Sequence, residues 1–249
     1  MELGIKQEKT FNYIELGTGN NILLLLHGLF GALSNWEHVA KQFANRYKII
    51  IPLIPIYEIH LKKANLEGLV SFVEAFVEFK QLTSFTLMGN SLGGHISLIY
   101  TLRHPEKVTK LILTGSSGLY ENNMGGSFIK RGNYDYIAER VKYTFYDPDV
   151  VSQAYIDEVF QVAQDNKKTL RIVSIAKSAQ RNNISAQLCH IQTPSLLIWG
   201  LNDTITPPLV AHEFNILLAN SQLRFIDRCC HAPMMEHPEK FNAILEDFI

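Results

Sequence analysis

The chain has 249 residues, 47% of them hydrophobic and 19% charged, with a formal net charge of −1. These values exclude disordered and fibrous classes, and the balanced charge gives no argument for a nucleic-acid partner or a membrane surface. The length allows one large domain with a developed core, or a core plus a modest insertion.

The first ten residues are mostly polar and lack the apolar centre of a signal peptide, so no export signal is expected. Residues 22–26 (Ile-Leu-Leu-Leu-Leu) are too few to cross a bilayer and read as a strand buried on both faces, as in a parallel sheet. Similar short runs follow at 49–51, 85–88, 108–113, 196–199 and 223–226. Helical patterns lie between them. Residues 66–80 put Leu69, Phe72, Val73, Phe76 and Val77 on one face, residues 92–103 stop before Pro105, and 208–218 and 239–248 complete the set. Strand–helix alternation of this kind predicts an α/β fold with a mostly parallel sheet flanked by helices.

One segment breaks the alternation. Residues 119–187 contain no convincing buried strand, but three helical patterns at 134–146, 149–165 and 168–181. The expected organisation is therefore a core of residues 1–118 and 188–249 with 119–187 as a helical cap inserted over the carboxyl edge of the sheet, where ligands bind in open α/β folds. An independent helical domain is the competing arrangement, and so short a segment would bury little core alone.

The three cysteines, Cys189, Cys229 and Cys230, form no disulfide framework and suit a reducing compartment, so a cytoplasmic location is expected. Cys229, Cys230 and His231 are consecutive and lack the spaced cysteine pairs of a tetrahedral zinc site.

The chemistry concentrates in strand-to-loop junctions. Residues 85–95 (FTLMGNSLGGH) run from an apolar strand through Gly-x-Ser-x-Gly into a helix. This context makes a tight elbow that lifts the Ser91 hydroxyl above the sheet and aims the Leu92 N–H at a reacting carbonyl. The glycine-rich loop at 27–31 (HGLFG) follows the first buried strand and is expected to supply a second oxyanion donor, the N–H of Leu29, with Phe30 the next choice. His27 has a structural role in that loop. Asp203 follows the strand at 196–199 and His231 follows the strand at 223–226, so the order is Ser91, Asp203, His231. Each has a bland alternative: a turn serine, a loop-capping aspartate within Asn202-Asp203-Thr204, a structural histidine.

On the fragments HGLFG, GNSLGG, RHPEKVTKLIL, WGLNDTITP and HAPMMEHPEKFN, the chain resembles the α/β-hydrolase superfamily over nearly its whole length apart from the cap. Asn90, before the nucleophile, also resembles the carbon–carbon bond hydrolases of the meta-cleavage type. The resemblance implies Ser91 as nucleophile, His231 as base and Asp203 as the acid orienting it. It also implies a small-molecule substrate and no metal or organic cofactor. Three departures stand out. Residues 52–57 (PLIPIY) replace the usual Asp and Gly-rich loop, Cys230 replaces the usual glycine before the histidine, and residues 115–118 (GSSG) offer no alternative acid, with Glu121 the nearest fallback.

The expected activity is hydrolysis of a small ester through an acyl-enzyme. A meta-cleavage-type carbon–carbon hydrolase would use the same residues, and a ligand-binding receptor on this fold with weak turnover is the non-enzymatic alternative. Phe30, Asn90, Met234 and Met235 are candidate pocket residues. Arg181 is a candidate for binding an acidic substrate from the cap, or simply a solvated residue.

Overall fold

A run of leucines cannot face water cheaply, and Leu23, Leu24, Leu25 and Leu26 have no exposed area. Each such burial contributes about 1.5–3 kcal/mol. In the computed structural model, which describes residues 4–30, 33–121 and 132–249, these leucines lie at the centre of an eight-stranded sheet. The strands are β1 (Lys6–Glu8), β2 (Phe11–Leu16), β3 (Asn21–Leu26), β4 (Tyr47–Pro52), β5 (Phe85–Asn90), β6 (Val108–Thr114), β7 (Ser195–Gly200) and β8 (Ser221–Ile226). They lie in the order β1-β2-β4-β3-β5-β6-β7-β8. The β1–β2 and β2–β4 pairings are antiparallel and the remaining five are parallel.

All six expected strands are present. The sequence reading missed β1 and β2. Every residue of β1 is exposed, and β2 only begins with the alternation Phe11 buried, Asn12 exposed, Tyr13 buried. An antiparallel edge of this kind carries too little apolar sequence to stand out from its charged neighbours.

Helices cover both faces: α1 (Glu37–Phe43), α2 (Leu66–Phe79), α3 (Leu92–Arg103), α4 (Tyr134–Lys142), α5 (Gln153–Gln164), α6 (Asn166–Arg181), α7 (Pro208–Leu217), α8 (Pro233–Glu236) and α9 (Pro238–Glu246). Asn65 caps α2 by accepting from the Gly68 N–H at 2.9 Å. The buried face of α2 is Leu66, Leu69, Val70, Val73, Phe76 and Val77, with the expected Phe72 only partly buried against Phe11. By contrast, α3 is buried from Leu92 to Thr101, as the central helix behind the elbow must be.

Between β6 and β7 lie α4, α5 and α6, capped by Asn133, Ser152 and Asp165. Ile137 and Val141 of α4 pack against Ile156, Val159 and Ala163 of α5. Ile172, Ile175 and Ala179 of α6 join the main core. The Leu66 N–H donates to Ser178 Oγ at 3.1 Å and Arg171 Nε to the Ile59 carbonyl at 2.7 Å, so α6 is tied to the sheet side of the molecule. Because β3, β5, β6, β7 and β8 run parallel, their carboxyl ends bring five loops to one edge. Among the described residues, no helix is long and apolar enough to cross a membrane.

Candidate active site

Ser91 stands between the end of β5 and the start of α3 with φ 54° and ψ −120°. A non-glycine residue at positive φ costs on the order of 1–3 kcal/mol and persists only where its surroundings hold it. Here the Ser91 N–H donates to the Thr114 carbonyl at 3.0 Å, and the Ser91 carbonyl accepts from Gly94, His95 and Ser117. The elbow needs its glycines. A Cβ on Gly89 would stand 2.4 Å from the Gly93 carbonyl oxygen, and one on Gly93 would stand 2.2 Å from that of Leu26. Leu92 opens α3, so its N–H has no partner within the helix.

The loop after β3 approaches Ser91 closely, and a Cβ on Gly28 would lie 3.1 Å from Ser91 Cβ. His27 Nε2 accepts from the Ile54 N–H at 3.0 Å, which puts the ring proton on Nδ1, and Nδ1 donates to the Gly28 carbonyl at 2.9 Å. Burial lowers the His27 pKa and keeps it neutral. The Gly28 carbonyl shares its peptide unit with the Leu29 N–H, so the bond from His27 polarises that donor. Two tyrosines hold the next carbonyls: Tyr57 donates to Leu29 at 3.3 Å and Tyr155 to Phe30 at 3.2 Å. Tyr57 ends the segment that departs from the familiar sequence pattern, and its contact with this loop gives that departure a structural use. Gly31 lies outside the described residues.

Asp203, on the loop after β7, is buried. Its Oδ1 accepts from the N–H groups of Ile205 at 2.9 Å and Thr206 at 3.0 Å, and its Oδ2 from Thr206 Oγ1 at 2.9 Å. His231 Nδ1 lies 3.0 Å from Oδ2 and 3.1 Å from Oδ1. The two readings of Asp203 are therefore not exclusive: the carboxylate caps its own loop and binds the histidine. Thr206, which the sequence reading passed over, completes the carboxylate's shell, and the Asp-x-x-Thr spacing was the available signal. Burial pulls the His231 pKa down. The charge and hydrogen bond of Asp203, followed by the charges of Glu121 and Glu236, outweigh it and hold the imidazole above its ordinary value.

The histidine is fixed from several sides. Its N–H donates to the Thr144 carbonyl at 3.2 Å, and its carbonyl accepts from Asn90 Nδ2 at 3.3 Å. Gly115 has φ +51°, and a Cβ there would stand 2.9 Å from His231 Nδ1. Cys230 serves where a glycine was expected because the left-handed residue of this loop is Arg228, at φ 54°. The Cys230 N–H instead donates to Glu236 Oε1 at 2.7 Å.

Ser91 and His231 line one pocket with a volume of about 140 Å³. Its apolar wall includes Leu29, Phe30, Phe145, Ile205 and Met235, and Leu92 also borders it. Met234 does not line it. That side chain is fully buried in the core with Phe241 and Leu245, and Met235 is the one turned to the pocket, a correction to the expected lining. Asn90 borders the pocket, with its amide committed to the carbonyls of Thr114 and His231. Arg181 is exposed at the end of α6 and is not part of the lining. Glu121 lines the pocket, while the hydrogen bond to His231 is made by Asp203. Among the described residues no cluster of three His, Cys, Asp or Glu could hold a metal ion.

The family of the alpha/beta hydrolase fold matches residues 21–143. An α/β-hydrolase enzyme from a sediment metagenome of the Mar Chica lagoon, Morocco, is 38% identical, covers 98% of this chain and 96% of its own, and superposes with a TM-score of 0.80. A 2-hydroxy-6-oxononadienedioate/2-hydroxy-6-oxononatrienedioate hydrolase of Paraburkholderia phymatum is 27% identical over 97% of this chain and 91% of its own. A meta-cleavage product hydrolase from Pseudomonas fluorescens, 18% identical over 96% of this chain and 93% of its own with a TM-score of 0.83, shares the fold. With the fold, the elbow and the similarity extending over almost all its length, this chain belongs to the α/β-hydrolase superfamily.

Proposed function

We propose that the protein is a serine hydrolase of small esters, with Ser91 as nucleophile, His231 as general base and Asp203 as the group that orients it. The observation that carries this reading is that His231, bonded to Asp203, borders the same pocket as the strained Ser91. In the first step His231 Nε2 takes the Ser91 proton as Oγ bonds to the ester carbonyl carbon. The N–H groups of Leu29 and Leu92 stabilise the oxyanion, each worth about 3 kcal/mol in comparable sites. The imidazolium then gives its proton to the departing alkoxide, leaving an acyl-Ser91. Water, deprotonated by His231, attacks the acyl carbon, and Ser91 Oγ leaves with the proton returned to it.

The apolar wall and the modest volume support a short apolar acyl group. In this reading residues 119–187 act as a cap on a core of residues 1–118 and 188–249, with 1–3, 31–32 and 122–131 outside the described residues. Thr144, Phe145, Tyr155 and Ala179 support it, since they close the pocket from that segment. The three free thiols support a reducing compartment such as the cytoplasm.

Carbon–carbon hydrolysis is the second reading, favoured by the activity named for the Paraburkholderia relative. Hydrolysis of p-nitrophenyl acetate, butyrate and octanoate is the test, with wild type beside Ser91→Ala. Turnover by wild type alone, fastest on the shorter esters, supports the ester reading. No turnover of any ester, with cleavage of a vinylogous diketone acid, would shift the assignment to carbon–carbon hydrolysis.

A further inference from the structure

Three polar groups in the pocket have no part in the mechanism above. Ser117 Oγ and Asn35 Oδ1 are buried, border the pocket and have no hydrogen-bond partner among the described residues. Glu121 borders it too, and among the described residues no lysine or arginine pairs with its carboxyl. Its electrostatic partner is His231, across the same space. Burial raises the Glu121 pKa, the response of a carboxyl without compensating bonds. Among the described lining residues there is no lysine or arginine. Two of these groups, Glu121 and Asn35, present acceptor oxygens, and the third, a hydroxyl, can accept as well. A buried acceptor without a donor costs free energy that a bound donor would recover.

We infer that Glu121 is a specificity-determining residue that, with Ser117 and Asn35, selects substrates bringing a hydroxyl donor into the pocket and rejects those bringing a carboxylate. This rests on the ester-hydrolase reading and adds the chemistry of the substrate to it. The relatives' substrate is named as a dioate, a dicarboxylate, so the same site would discriminate against that class. Placing like charges together in a confined site is unfavourable enough for a bias of about tenfold or more.

The experiment compares p-nitrophenyl esters of matched length: butyrate, 3-hydroxybutyrate and hemisuccinate. Each kcat/KM is divided by the ester's rate with hydroxide, which removes intrinsic reactivity. Wild type, Glu121→Gln, Glu121→Asp and Ser91→Ala are assayed well above the carboxylate range. Wild type should favour 3-hydroxybutyrate and disfavour hemisuccinate. Glu121→Gln should raise the hemisuccinate-to-butyrate ratio by about tenfold or more, and Glu121→Asp, which keeps the charge, should leave it near wild type. The ratio is unaffected by a general loss of folded enzyme. An unchanged ratio in Glu121→Gln overturns the inference. Equal rates for Ser91→Ala and wild type overturn the ester-hydrolase reading instead, so the two failures are distinguishable.

Discussion

The phenol of Tyr155, on α5, donates at 3.2 Å to the backbone carbonyl of Phe30, a residue 125 positions earlier in the chain. That bond joins the segment between β6 and β7 to the loop that carries the candidate oxyanion donor. Tyr57 donates to the adjacent carbonyl, that of Leu29, at 3.3 Å. The loop is therefore held by two hydroxyls from separate parts of the fold.

Removing the Tyr155 hydroxyl should loosen the donor without emptying the pocket. Tyr155→Phe keeps the ring and loses one bond, worth about 0.5–1.5 kcal/mol net. The expected result is a fall in kcat of about two- to tenfold with KM little changed, because the oxyanion develops in the transition state and not in bound substrate. Steady-state kinetics on p-nitrophenyl butyrate reads both constants, and a loss confined to KM would contradict the role.

Asp203→Asn tests the orienting role proposed for that carboxylate. An amide can accept from Ile205, Thr206 and His231 through only one oxygen, and its NH₂ would favour the wrong imidazole tautomer. On the precedent of other triads, kcat should drop by roughly 10³–10⁴ with the fold intact. Circular dichroism alongside the kinetics separates this from unfolding.

The pH profile follows from the raised His231 pKa. In the proposed mechanism His231 must be neutral to take the Ser91 proton, and a raised pKa keeps it protonated to higher pH. The acid limb of kcat/KM should therefore lie above the ordinary histidine value of 6.5. Glu121→Gln removes one negative charge that favours the imidazolium, so its limb should move to lower pH. A limb that moves upward, or stays in place, would show that Glu121 does not act on His231.

Gly115→Ala should damage the histidine's seat. The position has φ +51°, and the added methyl would come within 2.9 Å of His231 Nδ1. The strain alone should cost about 1 kcal/mol or more, lowering Tm by about 2–4 °C for each kcal/mol in a chain of this size. Activity should fall further than stability, since the displaced ring loses its alignment with Ser91. Thermal denaturation and kinetics on one preparation compare the two losses, and full activity would show that the histidine can move aside.

The sequence by itself determined the sheet's buried strands and the elbow. Long apolar runs can only be interior, and Gly89 and Gly93 flank Ser91 because backbone oxygens occupy the space a Cβ would need. It also placed Ser91, Asp203 and His231 at strand ends, since a parallel sheet sends those ends to one edge. The edge strands β1 and β2 escaped it because their pairing is long-range and their burial slight. Only the tertiary structure decided which of Met234 and Met235 faces the pocket, since adjacent residues on a short helix differ by direction and not by type. It alone brought Tyr57 and Tyr155 to the oxyanion loop and Glu121 to His231. Those contacts join residues far apart in the chain, and no local propensity records where a phenol or a carboxyl will end.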